Sequence, residues 1–474
     1  MFSGIVEAYG KVIGTLSNWM YSYILIILLV GAGIYFTVKT KGVQFRALKE
    51  AIKVVMEPKD DEKSISSFQA LMVSTASRVG TGNIAGISTA LCIGGAGAMF
   101  WMWLIALLGS ASAFIESTLA QIYKRKAADG SSYGGPAYYI QAVLKKRWLG
   151  VLFAAVLIVT YMGGFNMVAA FNISDSFRRY DFYQPGTTPL VIGLILAVIF
   201  GICIFGGSKR ISKITEVIVP VMGIFYIAVS LFIVITHLNL LPGVIVSIFK
   251  GAFDISAIFG GFAGSAVMQG VKRGLFSNEA GVGSAPNAAA SAGVSHPVKQ
   301  GLVQMLSVYI DTIVICSATG FMLLCSGVVP EEGIAGMPYV QEAVAGSLGG
   351  FGSVFITVAL FLFAFTTLIG NFYYAEMGLR YICDKTPKKM IMNIFRIVAA
   401  LIVCMGATMD FSVVWDTADV LMGLMALINL PVIVLLAKPA LRCMQDYFKQ
   451  KKSGKNPVFK AKDINLETKT DFWN

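Results

Sequence analysis

Long apolar runs separated by short polar connectors make up nearly the whole chain: Trp19–Val38, Phe68–Leu91, Met99–Tyr123, Trp148–Phe171, Pro189–Phe205, Ile211–Thr236, Ile255–Asn278, Val298–Cys325, Phe351–Cys383, Met390–Met409 and Val413–Ala437. Most reach the ~20 residues that an α-helix needs to cross a bilayer, so the pattern predicts an all-α, polytopic membrane protein of about eleven transmembrane helices. Trp19–Val38 is of full length and lacks a basic leader, so it is expected to remain as a span rather than to be cleaved. With that helix set aside, about ten spans divide into two sets of five. Five is odd, so the second set runs opposite to the first, which makes an inverted repeat. The expected division is 1–63 for the N-terminal helix and its connector, 64–437 for the inverted-repeat core, and 438–474 for a basic cytoplasmic tail.

Two spans break the apolar pattern from within. Thr75–Gly86 places Arg78, Thr81, Asn83 and the glycines Gly80, Gly82 and Gly86 inside the second run. A charge at bilayer depth costs a few kcal/mol or more, and glycine weakens helix where no lipid-facing backbone tolerates exposure. The helix is therefore expected to unwind here around a buried cavity. Small residues also serve close helix packing, and the glycines by themselves do not separate the two readings. A phosphate loop is excluded, because the stretch follows no β-strand and lacks the G-x-x-x-x-G-K-[ST] spacing. In the corresponding place of the second half, Ile255–Asn278 contains Phe259-Gly260-Gly261-Phe262-Ala263-Gly264-Ser265, where a second interruption is expected.

Composition agrees with this picture and closes other routes. The 474 residues are 56% hydrophobic and 14% charged, too apolar for a soluble protein of this size. The formal charge of +12 sits in connectors, so it signals topology and not nucleic acid. Lys39, Lys41, Arg46, Lys49, Lys53 and Lys59 place the first connector in the cytoplasm and the N-terminus outside. Lys124–Lys126, Lys145–Arg147, Lys209 to Lys213, Lys299, Lys385 to Lys389 and the tail Lys449 to Lys455 then fall inside, with Glu331, Glu332 and Glu342 outside; Arg178-Arg179 is the exception. Seven scattered cysteines form no C-x-x-C pair, which implies neither disulfides nor zinc. Neither His237 nor His296 sits by a plausible nucleophile at catalytic spacing, so no enzymatic constellation is expected.

Three stretches carry a resemblance. They are Arg78-Val79-Gly80-Thr81-Gly82-Asn83-Ile84-Ala85-Gly86, Ser132-Tyr133-Gly134-Gly135-Pro136-Ala137-Tyr138-Tyr139, and the long Arg273-Gly274-Leu275-Phe276-Ser277-Asn278-Glu279-Ala280-Gly281-Val282-Gly283-Ser284-Ala285-Pro286-Asn287. With Phe363-Ala364-Phe365-Thr366-Thr367 and Tyr373-Tyr374-Ala375-Glu376, the chain resembles the alanine/glycine:cation symporter family over most of its length. That resemblance implies the leucine-transporter fold, a cell-membrane location, and uptake of a small neutral amino acid with Na⁺ by alternating access, with no cofactor. H⁺ coupling is the alternative, and a channel the more distant one, since a pore filter is repeated around an axis.

Residue by residue, the resemblance implies a Na⁺ site from Thr366 and Thr367 with the carbonyls of Ala76, Val79 and Phe363. Such an all-oxygen cage without fixed carboxylates suits a hard monovalent cation; back-bonding of both threonines to their own helix is the competing reading. Gly80, Thr81, Gly82 and Asn83, facing Gly261, Phe262 and Ala263, are the expected solute site, with Phe262 as an apolar lid or as ordinary core. Half-helix ends suit the carboxylate and ammonium of a zwitterion. Asn371 and Ala169 complete the set. Where the family usually shows a glutamine and an asparagine, this chain has Val168-Ala169-Ala170-Phe171 after Phe165-Asn166, which points to a solute bulkier or more apolar than alanine. Arg78 is expected to pair with Glu279, Glu116 or Asp311, and Glu376 and Asp311 to be salt-bridged or, alternatively, to carry protons.

Overall fold

The structure, a computed structural model, describes residues 2–59, 63–254, 265–384, 387–466 and 468–473. Among these, the regular structure is helical apart from a short antiparallel ribbon, β1 (Arg125–Lys126) with β2 (Ser132–Tyr133). In chain order the helices are α1 (Val6–Lys39), α2 (Leu48–Val55), α3 (Ser67–Arg78), α4 (Gly82–Gly94), α5 (Ala98–Ile122), α6 (Pro136–Leu144), α7 (Arg147–Asp175), α8 (Thr188–Ile204) and α9 (Gly207–Thr236). There follow α10 (Leu241–Ala252), α11 (Ala266–Asn278), α12 (Ala285–Ala290), α13 (Pro297–Leu324), α14 (Met337–Leu348), α15 (Gly350–Ile382), α16 (Lys389–Gly406), α17 (Phe411–Leu435) and α18 (Ala437–Lys452).

Eight of these are long and apolar enough to cross a membrane: α1, α5, α7, α9, α13, α15, α16 and α17. The shorter α8 is apolar throughout. Of the two remaining expected spans, Phe68–Leu91 is in two pieces, α3 and α4; of Ile255–Asn278 the described part is Ser265 with α11, and a break separates α11 from α12 beyond it. The helices sort by what their surfaces touch. Large apolar side chains stand exposed along α8 (Leu194, Ile195, Val198), α9 (Val217, Val221, Ile224) and α16 (Ile394, Ile397, Leu401), as lipid-facing helices require. The broken helices are buried on every side, with α5, α13 and α15 packed around them. Small residues permit that closeness: a Cβ on Gly301 of α13 would lie 2.8 Å from the Phe114 carbonyl of α5.

The basic connectors gather at one end of the bundle. Lys299 reaches Glu57 at 2.6 Å and Asn456 at 3.0 Å, Lys451 reaches Glu50 at 2.6 Å, and Arg125 reaches Asp471 at 3.4 Å. The tail is more than a charged appendage there. Beyond α18 it lies across the connectors as a strap: Phe459 donates its N–H to the Ser295 carbonyl (2.9 Å), and the Trp473 indole donates to the Gln121 carbonyl (2.8 Å). Lys124 stands over the rings of Phe472 and Trp473 at 4.6 and 4.8 Å. Phe459 and Trp473 are buried by these contacts.

Candidate solute and cation site

The first break forms where the sequence leads one to expect it. Helix α3 runs to Arg78, and Val79 leaves the helical region with ψ of 91°. A continuing helix would send the Gly80 N–H back to the Ala76 carbonyl; instead it donates to Asn83 Oδ1 at 2.9 Å. The freed Ala76 carbonyl accepts the Thr367 hydroxyl of α15 at 3.1 Å. Gly80 is required here by proximity, since a Cβ would fall on that hydroxyl. Asn83 holds the restart, its amide nitrogen reaching Asp311 Oδ1 at 2.8 Å and Ser277 Oγ at 3.1 Å.

The two threonines separate. Thr367 Oγ1 lies 3.1 Å from the Ala76 carbonyl and 3.0 Å from the Phe363 carbonyl. One hydroxyl proton cannot serve both acceptors at once; the Phe363 carbonyl is also reached by the Thr366 hydroxyl, so Thr367 is the donor left for the Ala76 carbonyl. Thr366 instead back-bonds to the Leu362 and Phe363 carbonyls (3.1 and 2.9 Å) and points at the Met222 sulfur of α9, 3.8 Å away. Both threonines back-bond within α15, and of the two only Thr367 also reaches the break.

A second break lies beyond the span in which one was expected. Gly261, Phe262 and Ala263, expected opposite Gly80–Asn83, lie outside the described residues. The interruption that the structure describes is Glu279–Ser284, between α11 and α12, later in the chain. Glu279, Gly281 and Gly283 have φ of 51°, 82° and 91°, values that end a right-handed helix. Its backbone is satisfied by side chains: Gly281 donates to Glu116 Oε1 (3.3 Å), and Asn429 donates to the Gly281 carbonyl (2.9 Å). The alternation of Gly281 and Gly283 just ahead of Pro286 was the available signal, outweighed by the glycine run inside the more apolar stretch.

Around the breaks the remaining candidates take definite places. Asn371 of α15 accepts the Ser77 hydroxyl (2.6 Å) and donates to Asn166 Oδ1 (3.0 Å), tying α3, α15 and α7 together. The Asn166 amide nitrogen is buried without a partner among the described residues. Ala169, one turn beyond it on α7, is fully buried. Thr81 is buried between the break and α4. The aromatic residues found here are ones the sequence did not single out. Phe276 of α11 stacks on Phe165 of α7 at 4.6 Å and meets Trp415 of α17 at 4.8 Å. A Cβ on Gly82 would come within 2.9 Å of the Phe276 ring.

Charged groups line both sides. Arg273 caps the aromatic group, 4.7 Å from the Trp415 ring and 2.5 Å from Asp419. At the end of α3, Arg78 donates to Ser307 Oγ, while its Nε and Nη2 lack partners among the described residues. The expected direct ion pair of Arg78 with Glu279, Glu116 or Asp311 does not form within 4 Å; Ser307 occupies the near position. Asp311 is held by hydrogen bonds instead, from Asn83, from Ser277 (2.5 Å) and from Thr312 (2.9 Å). Glu376 lies one turn before Arg380, its Oε2 without a hydrogen-bond partner among the described residues. At the basic end lies a cavity of about 330 Å³, lined by Ser132, Tyr133, Ser291, Tyr373 and Arg380.

Three of the surrounding helices widen into a π turn at this level: Gly82–Gly86 in α4, Val159–Phe165 in α7 and Tyr309–Cys316 in α13. Each carries a residue of the site, Asn83, Phe165 and Asp311, and such turns concentrate at functional positions.

Comparison with known proteins agrees with the geometry. Residues 6–461 match the model of the sodium:alanine symporter family. A probable sodium/glutamine symporter of Bacillus subtilis, GlnT, is 46% identical over 96% of this chain and 93% of its own. A putative sodium/proton-dependent alanine carrier of the same organism, YrbD, is 44% identical over 97% of each. The sodium/alanine symporter AgcS of Methanococcus maripaludis is 37% identical over 90% of this chain and 94% of its own. Among solved structures, MhsT in complex with L-phenylalanine superposes with a TM-score of 0.51 at 12% identity, over 87% of this chain and 94% of that one. A manganese transporter of Eremococcus coleocola gives 0.52 at 13%, over 85% and 84%. At such identities the likeness speaks for the fold alone.

Proposed function

The chain belongs to the sodium:alanine symporter family, and from that premise we propose that it imports a small neutral amino acid together with Na⁺ by alternating access. The protein is a multi-pass membrane transporter and not an enzyme. The observation that carries the proposal is the first break, where the Ala76 carbonyl, freed from its helix, the Phe363 carbonyl and Thr367 Oγ1 bring three oxygens together. Na⁺ sits there, with Val79 supplying a further carbonyl, while Thr366, expected beside Thr367, is turned to its own helix. The solute lies alongside. The N–H groups of Gly80 and Asn83 are taken, by Asn83 Oδ1 and the Gly80 carbonyl. Those of Thr81 and Gly82 at the head of α4 then receive the carboxylate. Carbonyls at the end of α11 receive the ammonium, and the Phe165–Phe276–Trp415 group closes over the side chain.

The side-chain pocket is apolar at Ala169, which favours a solute somewhat larger than alanine. The names of the relatives span this range, one glutamine symporter and several alanine carriers. Counterflow in proteoliposomes against a panel including L-alanine and L-glutamine, with and without Na⁺, tests the reading. Saturable, stereoselective exchange that requires Na⁺ is expected; exchange indifferent to Na⁺ would refute it.

We place the basic end, with its strap, in the cytoplasm of a cell membrane and the N-terminus outside, since connectors rich in lysine and arginine stay inside. In a cysteine-free background, an impermeant thiol reagent applied to whole cells should modify Gly333→Cys and spare Ala128→Cys, both exposed positions. The opposite pattern inverts the topology.

A further inference from the structure

Both broken helices end on the wall of the cavity at the basic end. Ser64 and Ile65 line it just ahead of α3, and Ser291 lines it where α12 stops. Backbone bonds join the two ends: the Ile65 N–H donates to the Ser291 carbonyl (3.3 Å), and the Gly293 N–H to the Ile65 carbonyl (3.0 Å). The third element of the wall is α15. Its Gly370 packs on α3, where a Cβ would lie 2.8 Å from the Ser77 nitrogen, and Tyr373, Met377 and Arg380 continue that face into the cavity at helical spacing. Arg380 therefore stands about 20 Å along the axis of α15 from Thr367. Between them the Tyr373 hydroxyl donates to Ser291 Oγ at 2.7 Å, a contact from α15 to the end of α12.

The lining suits a zwitterion. Arg380 and Lys63 bring positive charge and Asp129 negative charge, among the hydroxyls of Ser131, Ser132 and Tyr373. Ligand pockets run from about 300 to 1,000 Å³, so this cavity has the volume for a small solute. Arg380 is the group there that the fold leaves without a task. Its guanidinium lies 5.3 Å over the Tyr133 ring, and its Nε is buried without a hydrogen-bond partner among the described residues. It forms no ion pair within 4 Å with Glu376, one turn earlier, although the two attract. A guanidinium steadied on a ring presents its Nε edge as a fork for a carboxylate. In the membrane core such a fixed charge would hold a solute too tightly to release. Arg380 as a whole is only half-buried, so water and salt weaken the contact enough to let the solute pass on.

We propose that this cavity is a second, low-affinity binding site for the transported amino acid, on the cytoplasmic side of the Tyr373–Ser291 contact, with Arg380 taking the carboxylate as the solute leaves. The inference rests on the amino-acid reading above and adds the place where the solute pauses on its way out.

The test titrates each face of the full-length protein separately, by exchange of L-alanine and of L-glutamine in right-side-out and inside-out membrane vesicles with Na⁺ present. Arg380→Gln should raise the half-saturating solute by about ten-fold at the face from which Ala128→Cys is labelled, and leave the opposite face within about two-fold. Equal shifts at the two faces overturn the site, as does a fall in rate with half-saturation unmoved at both, which is what lost packing on Tyr133 would give. Wild-type exchange indifferent to Na⁺ refutes the Na⁺ reading and leaves the comparison of faces in force. Absence of exchange for both amino acids in the wild type refutes the amino-acid reading and the site with it. Should Arg380→Gln fail to reach the membrane, labelling of Ala128→Cys on the cavity wall decides, in an otherwise cysteine-free protein without Na⁺. L-alanine at concentrations that saturate exchange from that face should slow the labelling, and an unchanged rate overturns the site.

Discussion

A single methyl group at Gly80 is expected to abolish Na⁺-driven uptake. Gly80→Ala needs no unusual backbone angle, so its effect comes from space: the new carbon falls on the Thr367 hydroxyl, with Thr367 Cβ 3.1 Å away. The hydroxyl must swing out of the break. It then leaves the Ala76 carbonyl buried without its donor, at about 1–3 kcal/mol, and the methyl fills the volume the cation needs. Uptake at saturating Na⁺ should fall by at least about a hundred-fold, with the protein still monodisperse in detergent. Gly201→Ala on lipid-facing α8, where nothing lies within 4 Å, serves as the control and should transport normally. Normal Na⁺-dependent uptake by Gly80→Ala would show that Thr367 does not face the break in the working protein.

Thr367→Ala removes the same oxygen without filling its place, so the loss should appear in cation affinity. A contact between a charge and a hydroxyl contributes about 1.5–3 kcal/mol, which raises the half-saturating Na⁺ by roughly ten-fold to a hundred-fold. Solute affinity at saturating Na⁺ should move much less. Thr366→Ala should shift the Na⁺ dependence by under about three-fold, because its hydroxyl is turned to its own carbonyls and Met222. Uptake titrated with Na⁺ for both variants distinguishes the two positions. Equal shifts would mean that the cage includes both hydroxyls, and no shift in either would remove the cation from this site.

The first break was legible from sequence because its causes are local. Arg78 and Asn83 are polar where lipid is expected, Gly80 and Gly82 weaken helix, and nothing distant was needed to read them. The interruption expected in the glycine run before Ser265 lies outside the described residues, and the break at Glu279–Ser284 was not read from the sequence at all. Glu279–Ser284 looks like the start of a connector and is brought into the membrane core only by Glu116 and Asn429 from other helices. The difference between Thr366 and Thr367 was equally out of reach. Adjacent helical residues point about 100° apart, and which one faces Ala76 depends on how α15 is rotated against α3. The aromatic group failed for a similar reason, since Phe165, Phe276 and Trp415 are far apart in sequence and meet only in the assembled bundle. Arg78 had plausible carboxylate partners in the sequence, but a serine on α13 lies closer than any of them.

The π turns bear on how these helices tolerate genetic change. A π turn holds one residue more than the α turn it replaces, so losing a single codon from Val159–Phe165 would let α7 close into regular helix. Everything beyond the deletion would then rotate by about 100° and retreat by about 1.5 Å. Asn166 would swing away from Asn371, and Ala169 would leave its place in the wall, although no surviving residue had been altered. The same holds for Gly82–Gly86 and Tyr309–Cys316, which hold Asn83 against Asp311 from opposite sides. Lipid-facing α8 has no such turn and no site to keep in phase. Length, residue by residue, is therefore fixed in the inner helices in a way that side-chain identity in the outer ones is not.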